Sequence, residues 1–341
     1  MNIKIPKPIS GGLILSYKCS AECKHCMYAC SPRWKDDWIS KEDLHMILKQ
    51  LSDKIAASPY GSNNVNLNFG LHFTGGEPFL NYNLLCEAVE MANGLNIPSI
   101  FVETNAYWAV NDEITKEKLS TLKEKGLKGI LISVNPFFLE FVPFERTERA
   151  IQFSQEMFGV NMVVYQIEYY WRFKNLGIKG RVSLDDFLKI EEGENFARNA
   201  EFFMTGRAAY KLNFPHIFPK YPPNYFFKDK CRPPFLRNWH NHFDNYGNFV
   251  PGYCGGISLG DCRQLDQLLA EGINPKEYPI LNCLVNNDFA GLLSLAKDLG
   301  YIENREGYLS KCHLCVDIRK YLASKNQFKE LVPEEFYRHL E

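Results

Sequence analysis

The sequence lacks the features that would assign it to a membrane protein, an exported protein or a nucleic-acid-binding protein. No stretch of its 341 residues approaches the roughly 18–20 consecutive apolar residues of a membrane span. The N-terminal segment MNIKIPKPIS has no apolar core of a secretory signal. Lys and Arg number 39 against 40 Asp and Glu, so no excess of positive charge attracts nucleic acid or anionic lipid. We therefore predict a cytoplasmic protein without nucleic-acid or membrane partners.

The chain also lacks internal repeats, and over its first two hundred residues six strand-like runs alternate with helix-like runs. This pattern is typical of parallel strands joined by crossover helices, in an α/β barrel or an open sheet. After about Asn213 prolines cluster and the periodicity fades, so we predict domains at 1–212 and 213–341. The predicted strands are Gly12–Tyr17, Asn66–Phe73, Ser99–Glu103, Lys128–Val134, Met162–Gln166 and Glu201–Met204. The predicted helices are Lys41–Ile55, Asn81–Ala92, Glu113–Lys125, Phe144–Phe158, Leu184–Ile190, Asp288–Leu299 and Asp317–Leu322.

The 11 cysteines are the most informative residues of the sequence. In a reducing compartment they are more often thiols or metal ligands than disulfides. Cys19, Cys23 and Cys26 follow the first predicted strand with C-x3-C-x2-C spacing, at the strand end where α/β barrels place their chemistry. Three thiolates within eight residues suit an iron–sulfur cluster, Zn²⁺ or Cu(I). On a four-iron cluster, three such ligands would leave one iron open.

This segment resembles the signature of the radical S-adenosylmethionine (radical SAM) superfamily, with His25 in the place of the aromatic residue before the last cysteine. The resemblance implies a partial (β/α)6, TIM-like barrel and a [4Fe-4S] cluster on the three cysteines. It implies that SAM chelates the open iron and is reductively cleaved to a 5′-deoxyadenosyl radical. This radical then abstracts a substrate hydrogen atom. It also implies a one-electron donor such as flavodoxin or ferredoxin as a partner. The alternative is a zinc site in a loop.

Further segments resemble the SAM-binding elements of that superfamily. Thr74–Pro78 resembles its GGE-P element, from which the Glu77 carboxylate and the Gly75-Gly76 backbone are expected to bind the methionine end of SAM. Glu103–Ala106 resembles its E-T-N-G segment, and Met204–Ala208 resembles the M-G-R-A element of peptide-modifying members. Ordinary turn and surface roles are the alternatives for these segments. The expected cofactor-binding residues are Thr74, Gly75, Gly76, Glu77, Thr104, Asn105, Ser133 and Arg207.

A second set of cysteines lies in the irregular C-terminal region. It has the spacing C-x22-C-x57-C-x2-C, which resembles the twitch extension, a shortened SPASM extension of radical SAM enzymes. The resemblance implies one auxiliary [4Fe-4S] cluster in a loop-rich domain. Cys262 or Cys283 could replace the first ligand, and a four-cysteine zinc knuckle is the alternative. The expected ligands are Cys231, Cys254, Cys312 and Cys315.

The residues leave three functions open. The first is a radical SAM maturase that modifies a peptide or protein side chain, with the auxiliary cluster handling electrons. About eleven residues precede the first predicted strand, so no fused leader-peptide-binding domain is expected, which weakens this function. The second is a radical SAM dehydrogenase, an oxidoreductase of a small polar metabolite. The third is a non-catalytic zinc or iron–sulfur binding protein. The catalytic acid or base and the identity of the substrate are not indicated.

We predict that replacing Cys19, Cys23 and Cys26 together by alanine removes about four irons per chain and abolishes SAM cleavage, because their spacing and loop position indicate thiolate ligation of one cluster. Iron counting and a 5′-deoxyadenosine assay with dithionite measure the two effects. Full SAM cleavage by the triple variant would contradict the assignment.

Overall fold

The computed structural model describes residues 1–190, 195, 199–212 and 218–341. Its centre is a seven-stranded sheet in the order β5-β4-β3-β2-β1-β6-β7. The first six strands are parallel, and β7 pairs antiparallel with β6. The sheet does not close, so the predicted partial barrel is confirmed as an open, mostly parallel α/β sheet.

The element bounds are as follows. The strands are β1 Ser10–Ile14, β2 Gly70–Thr74, β3 Phe101–Thr104, β4 Gly129–Ser133, β5 Met162–Tyr165, β6 Asn241–Asp244 and β7 Phe249–Val250. The helices of the first part are α1 Lys41–Leu51, α2 Tyr82–Gly94, α3 Asp112–Glu124, α4 Pro136–Leu139, α5 Phe144–Phe158, α6 Ile167–Asn175, α7 Leu184–Ile190 and α8 Ala208–Lys211. The remaining described helices are α9 Arg232–Phe235, α10 Leu265–Glu271, α11 Pro279–Val285, α12 Phe289–Asp298, α13 Lys311–Ala323 and α14 Glu335–Arg338.

Local sequence explains why the helices begin where they do. Ser40 accepts a hydrogen bond from the Asp43 amide at the start of α1, as an N-cap serine does. Asn111 caps α3 in the same way through the amide of Ile114. The strands β1 and β4 are short and buried or nearly so along their length, as expected for parallel strands covered on both faces.

The predicted sixth strand, Glu201–Met204, is wrong. These residues form no strand, and the sixth strand of the sheet is Asn241–Asp244, which pairs with the free side of β1. Its four residues are too short to produce a readable alternation, and a proline-rich segment precedes them. A hairpin turn joins β6 to β7, which pair antiparallel.

Because β6 and β7 come from the C-terminal half of the chain, both predicted domains contribute to one sheet. The boundary at 212/213 is therefore not a break in the sheet, and the division into domains stays a prediction. Within the described residues, no helix combines the length and apolarity that crossing a membrane requires.

Candidate metal and cofactor sites

The three N-terminal cysteines lie in the loop after β1 and line a cavity of about 270 Å³. Cys19 and Cys23 are buried, and Cys26 is half-buried. The same cavity receives residues from the carboxyl ends of β2, β3, β4 and β5, because parallel strands end at one edge of the sheet. The lining contributed by these ends includes Thr74, Glu103, Thr104, Ser133 and Tyr165.

The surroundings of these thiols suit a buried inorganic centre. Asn105 directs its Nδ2 at the Sγ of Cys19 (3.9 Å) and at the Oγ of Ser20 (3.0 Å). Burial raises the pKa of Cys19 and Cys23, whereas the hydrogen bond with Cys30 lowers the pKa of Cys26 to about 6 against the effect of burial. Three thiols that face one cavity with a polar donor beside them form the soft ligand set that iron–sulfur clusters use.

Most of the predicted SAM contacts line this cavity. They are Thr74, Gly75, Gly76, Thr104, Asn105 and Ser133. His25 also lines it and stacks on Phe137 with ring centroids 4.3 Å apart. Burial lowers the pKa of His25 to about 3, and its Nδ1 is buried without a hydrogen-bond partner. The Nε2 of His25 lies 3.4 Å from the Nδ2 of Asn135. Asn135 also caps α4 by accepting from the amides of Phe137 and Phe138.

Glu77 is held by hydrogen bonds beside the cavity. Its side chain is buried and is not among the cavity-lining residues. The carboxylate accepts hydrogen bonds from the Thr104 hydroxyl (2.9 Å), the Asn105 amide (2.8 Å) and the Phe79 amide (3.2 Å). Burial raises its pKa to about 7. The carboxylate thus holds the end of β3, and its expected contact with SAM stays a prediction.

Arg207 is likewise absent from the cavity lining and is almost fully buried behind the cysteine loop. Its guanidinium donates to four backbone carbonyls, those of Cys23 (2.9 Å), Ala29 (2.7 Å), Cys30 (3.0 Å) and His339 (3.1 Å). In the structure Arg207 therefore positions the loop, and its expected contact with SAM stays a prediction.

Gly206 allows the segment before α8 to pack directly on the cysteine loop. Its φ is 56°, and a Cβ there would lie 2.5 Å from the Met27 carbonyl oxygen and 2.7 Å from that of Cys26. The Arg207 amide donates to the same Cys26 carbonyl (3.0 Å). The backbone of the segment Met204–Ala208 thus packs directly on the cysteine loop.

The four C-terminal cysteines predicted as ligands line a second, smaller cavity of about 30 Å³. Cys231 precedes α9, Cys254 follows β7, and Cys312 and Cys315 lie one turn apart on α13. Burial raises the pKa of Cys254 to about 11 and that of Cys312 to about 12, so a bound cation is needed to hold them as thiolates at neutral pH. The cysteines considered as replacements, Cys262 and Cys283, are not in its lining.

A buried cation lies beside this second thiol set. Arg319 lines the cavity, interacts electrostatically with Cys315 and Cys254, and donates to the Gly255 carbonyl (2.9 Å). Its Nε is buried without a hydrogen-bond partner. A cluster with four thiolate ligands carries net negative charge, so a buried guanidinium fits that group.

The two cavities adjoin. Tyr253 lines the first cavity and its chain neighbour Cys254 lines the second. Phe203 lines the first and Thr205 lines the second. Two short backbone segments therefore form the wall between the two thiol sets.

Sequence reasoning missed several residues around the first cavity. Tyr28 and Tyr253 line it, and so do His240 and His242. From sequence, His216, His240 and His242 are candidate proton carriers, although a hydrogen-bonded loop histidine is the more frequent role. His72 lies on β2, where the sequence signal is a histidine inside an apolar strand. His216 lies outside the described residues.

Residues 13–135 match a family model described as a 4Fe-4S single cluster domain. No curated protein matches the chain. Among solved structures, the chain is similar to BtrN in complex with AdoMet and 2-DOIA, at 14% identity and a TM-score of 0.42, over 79% of this chain and 84% of that one. It is similar to hexahistidine-tagged anSMEcpe with bound AdoMet, at 13% identity and 0.46, over 93% and 97%. It is also similar to Streptococcus suis SuiB bound to S-adenosylmethionine, at 15% and 0.38, over 90% and 77%. At these identities and TM-scores the ligands and activities of the three proteins do not transfer to this chain.

The position of Glu77 predicts a defect in stability. Glu77→Ala leaves three buried donors without an acceptor, so we expect the free energy of unfolding to fall by about 3 kcal/mol without SAM present. Chemical denaturation measures it, with the exposed Glu117→Ala as a control that changes little. Unchanged stability together with weakened SAM binding would support a direct contact instead.

Replacement of Arg207 is expected to disorder the cysteine loop. Arg207→Ala leaves four carbonyls without this donor, and Arg207→Lys restores only some of the bonds because an ammonium has three donors and no planar fork. We expect iron content at the first site to fall in the order wild type, lysine variant, alanine variant. Arg305→Ala, at an exposed position, should match wild type. Equal iron in all four proteins would refute this role.

Proposed function

We propose that this chain is a member of the radical SAM superfamily and that it uses the cavity at the ends of β1–β5 to cleave SAM and to abstract a hydrogen atom from a substrate. Cys19, Cys23 and Cys26 would hold a [4Fe-4S] cluster, and Cys231, Cys254, Cys312 and Cys315 an auxiliary one. When bound, the first cluster supplies the electron that cleaves SAM to a 5′-deoxyadenosyl radical, and the second accepts or supplies an electron.

The chain's own residues arrange the cavity for this reaction. Arg207 fixes the carbonyls of the cysteine loop from behind, and Glu77 fixes Thr104 and Asn105 at its side. The amide of Gly76 is committed to the Ser16 carbonyl (2.8 Å), which holds the Gly75-Gly76 turn against the start of the loop. This leaves the glycine backbone, Asn105 and Ser133 facing the cavity as contacts for the polar end of SAM.

The observation that carries the proposal is the shared wall between the two thiol cavities. Tyr253 and Cys254 are consecutive, and one faces each cavity. A substrate radical formed in the first cavity would therefore lie next to the auxiliary site. Such closeness is what oxidation of a substrate radical by one electron needs.

We propose a peptide or protein side chain as the substrate. Phe203 lines the cavity, is 47% exposed and stacks on Tyr253 at 4.8 Å, while Asn68 is exposed on the rim. An aromatic, partly exposed rim suits a side chain that enters while its backbone stays outside. Among the described residues of the lining, and apart from its thiols, histidines and tyrosines, Glu103 is the only ionisable group, so a neutral or cationic substrate group is favoured.

A small polar metabolite is the second candidate. The single four-cysteine site favours it. Product analysis with peptide pools and with polar metabolites would separate the two substrate classes.

Anaerobic reconstitution tests the proposal as a whole. We expect about eight irons and eight sulfides per chain, and 5′-deoxyadenosine after addition of SAM and dithionite, with flavodoxin or ferredoxin as a replacement donor. A colourless, zinc-loaded protein that forms no 5′-deoxyadenosine would instead establish a non-catalytic zinc protein.

The auxiliary site makes a separate prediction. A Cys312→Ala, Cys315→Ala variant should retain about half of the iron and still cleave SAM slowly, yet form no product, because the wall of the first cavity remains while the second ligand set is lost. Cys283→Ala, which lies outside that lining, is the matched control and should behave as wild type. Unchanged iron would refute the cluster, and normal product formation without it would refute the electron-transfer role.

A further inference from the structure

Three histidines converge beside the first cavity, although they are far apart in sequence. His72 lies on β2, His242 on β6, and His240 two residues earlier. One nitrogen from each lies within 4.8 Å of the others. His72 and His242 are buried, and His240 is half-buried.

A glycine in the central strand makes this convergence possible. In the sheet register Gly12 of β1 pairs with His72 on one side and with His242 on the other. A Cβ at Gly12 would lie 2.3 Å from the Nε2 of His72 and 2.8 Å from the Cδ2 of His242. The space that a side chain of β1 would fill is therefore occupied by two imidazoles that meet over the strand.

The spacing of the rings matches a metal centre. Their centroids are 5.1 Å apart for His72 and His240, 5.5 Å for His72 and His242, and 5.3 Å for His240 and His242. Ring nitrogens bind Zn²⁺ at about 2.0–2.1 Å with tetrahedral angles, which places imidazole centroids about 5.2 Å apart. The observed distances between the ring centroids thus need little change for the three imidazoles to bind one ion.

Hydrogen bonds orient two of the rings as metal ligands are oriented. The Nδ1 of His240 lies 2.8 Å from the Leu67 carbonyl oxygen. The Nδ1 of His242 lies 3.0 Å from the Gly252 carbonyl oxygen and 2.9 Å from the Tyr28 hydroxyl, which itself donates to that carbonyl. Each Nδ1 can donate to its carbonyl, which leaves each Nε2 with a lone pair.

The third ring, that of His72, has no hydrogen bond at its Nε2. The Nε2 of His72 is buried without a hydrogen-bond partner, and the nearest carboxylate oxygen, Oε1 of Glu103, is 3.5 Å away. The other carboxylate oxygen of Glu103 accepts from the Thr74 hydroxyl (3.0 Å), which holds the group in place. A buried imidazole nitrogen with a carboxylate oxygen beside it is a pair of donors that one metal ion can join.

We propose that His72, His240 and His242, with Glu103 as a fourth ligand, bind a divalent transition-metal ion of the Zn²⁺ class in the wall of the cavity. Imidazole and carboxylate donors suit such an ion, whereas the two thiol sets suit softer centres. The ion would be separate from both cysteine sites and would lie where His240, His242 and Glu103 line the cavity. With four protein ligands the ion would have the closed tetrahedral shell of structural zinc sites, so we expect it to stabilise the wall of the cavity. The site does not depend on SAM cleavage.

The test uses the anaerobically reconstituted holoprotein, incubated with one equivalent of Zn²⁺ and desalted. We expect about one zinc per chain, and a zinc K-edge spectrum with nitrogen or oxygen neighbours at about 2.0–2.1 Å rather than sulfur at about 2.3 Å. His240→Ala and Glu103→Gln should each weaken zinc retention at least tenfold. His45→Ala, at an exposed position on α1, should retain zinc as wild type does.

Sulfur neighbours in the spectrum, or equal zinc retention by wild type and His240→Ala, would overturn the proposal and leave the histidines as a hydrogen-bonded cluster. His240 is chosen because it is only half-buried, and Glu103→Gln keeps the shape of the side chain, so a folding defect in one variant does not remove the test. Iron content and 5′-deoxyadenosine formation measured on the same samples separate failure of this site from failure of the radical chemistry.

Discussion

The candidate active site depends on the hydrogen bonds that one buried guanidinium donates to the cysteine loop. The loop between β1 and α1 contains the three cysteines but little regular structure of its own, so its carbonyls need partners from elsewhere. Arg207 supplies donors to three of them and to His339 near the C-terminus. A single side chain therefore ties the first thiol set to a segment almost two hundred residues later and to the end of the chain.

That connection also explains why the two thiol sets lie side by side. Gly206 packs on the loop through backbone contact, and Thr205 lines the second cavity. On the other side, the β6–β7 hairpin joins β1 directly, and the chain then reaches Tyr253 and Cys254 within a few residues. The shared wall is a consequence of β6 entering the sheet next to β1, which brings C-terminal residues to the N-terminal loop.

The same strand order produces the histidine cluster. Because β1 lies between β2 and β6, a residue without a side chain at position 12 opens a space that both neighbours can fill. The space that Gly12 leaves in β1 is thus filled by imidazoles from β2 and β6. The cavity therefore has thiols on one part of its lining and imidazoles on another, which are donors of different softness for different metals.

The sequence by itself determined the features that depend on neighbouring residues. The C-x3-C-x2-C spacing, the strand-to-helix alternation and most helix bounds are local, and α5 spans the predicted residues. The four C-terminal cysteines were also identifiable from spacing, although only the fold shows that they line one cavity without Cys262 and Cys283. Tertiary structure alone decided which strand completes the sheet, because strand pairing over more than two hundred residues leaves no local periodicity. It also decided the roles of Glu77 and Arg207. A motif names the residue type, but whether a carboxylate or a guanidinium faces a ligand or its own backbone depends on which unpaired donors and carbonyls the folded chain brings beside it.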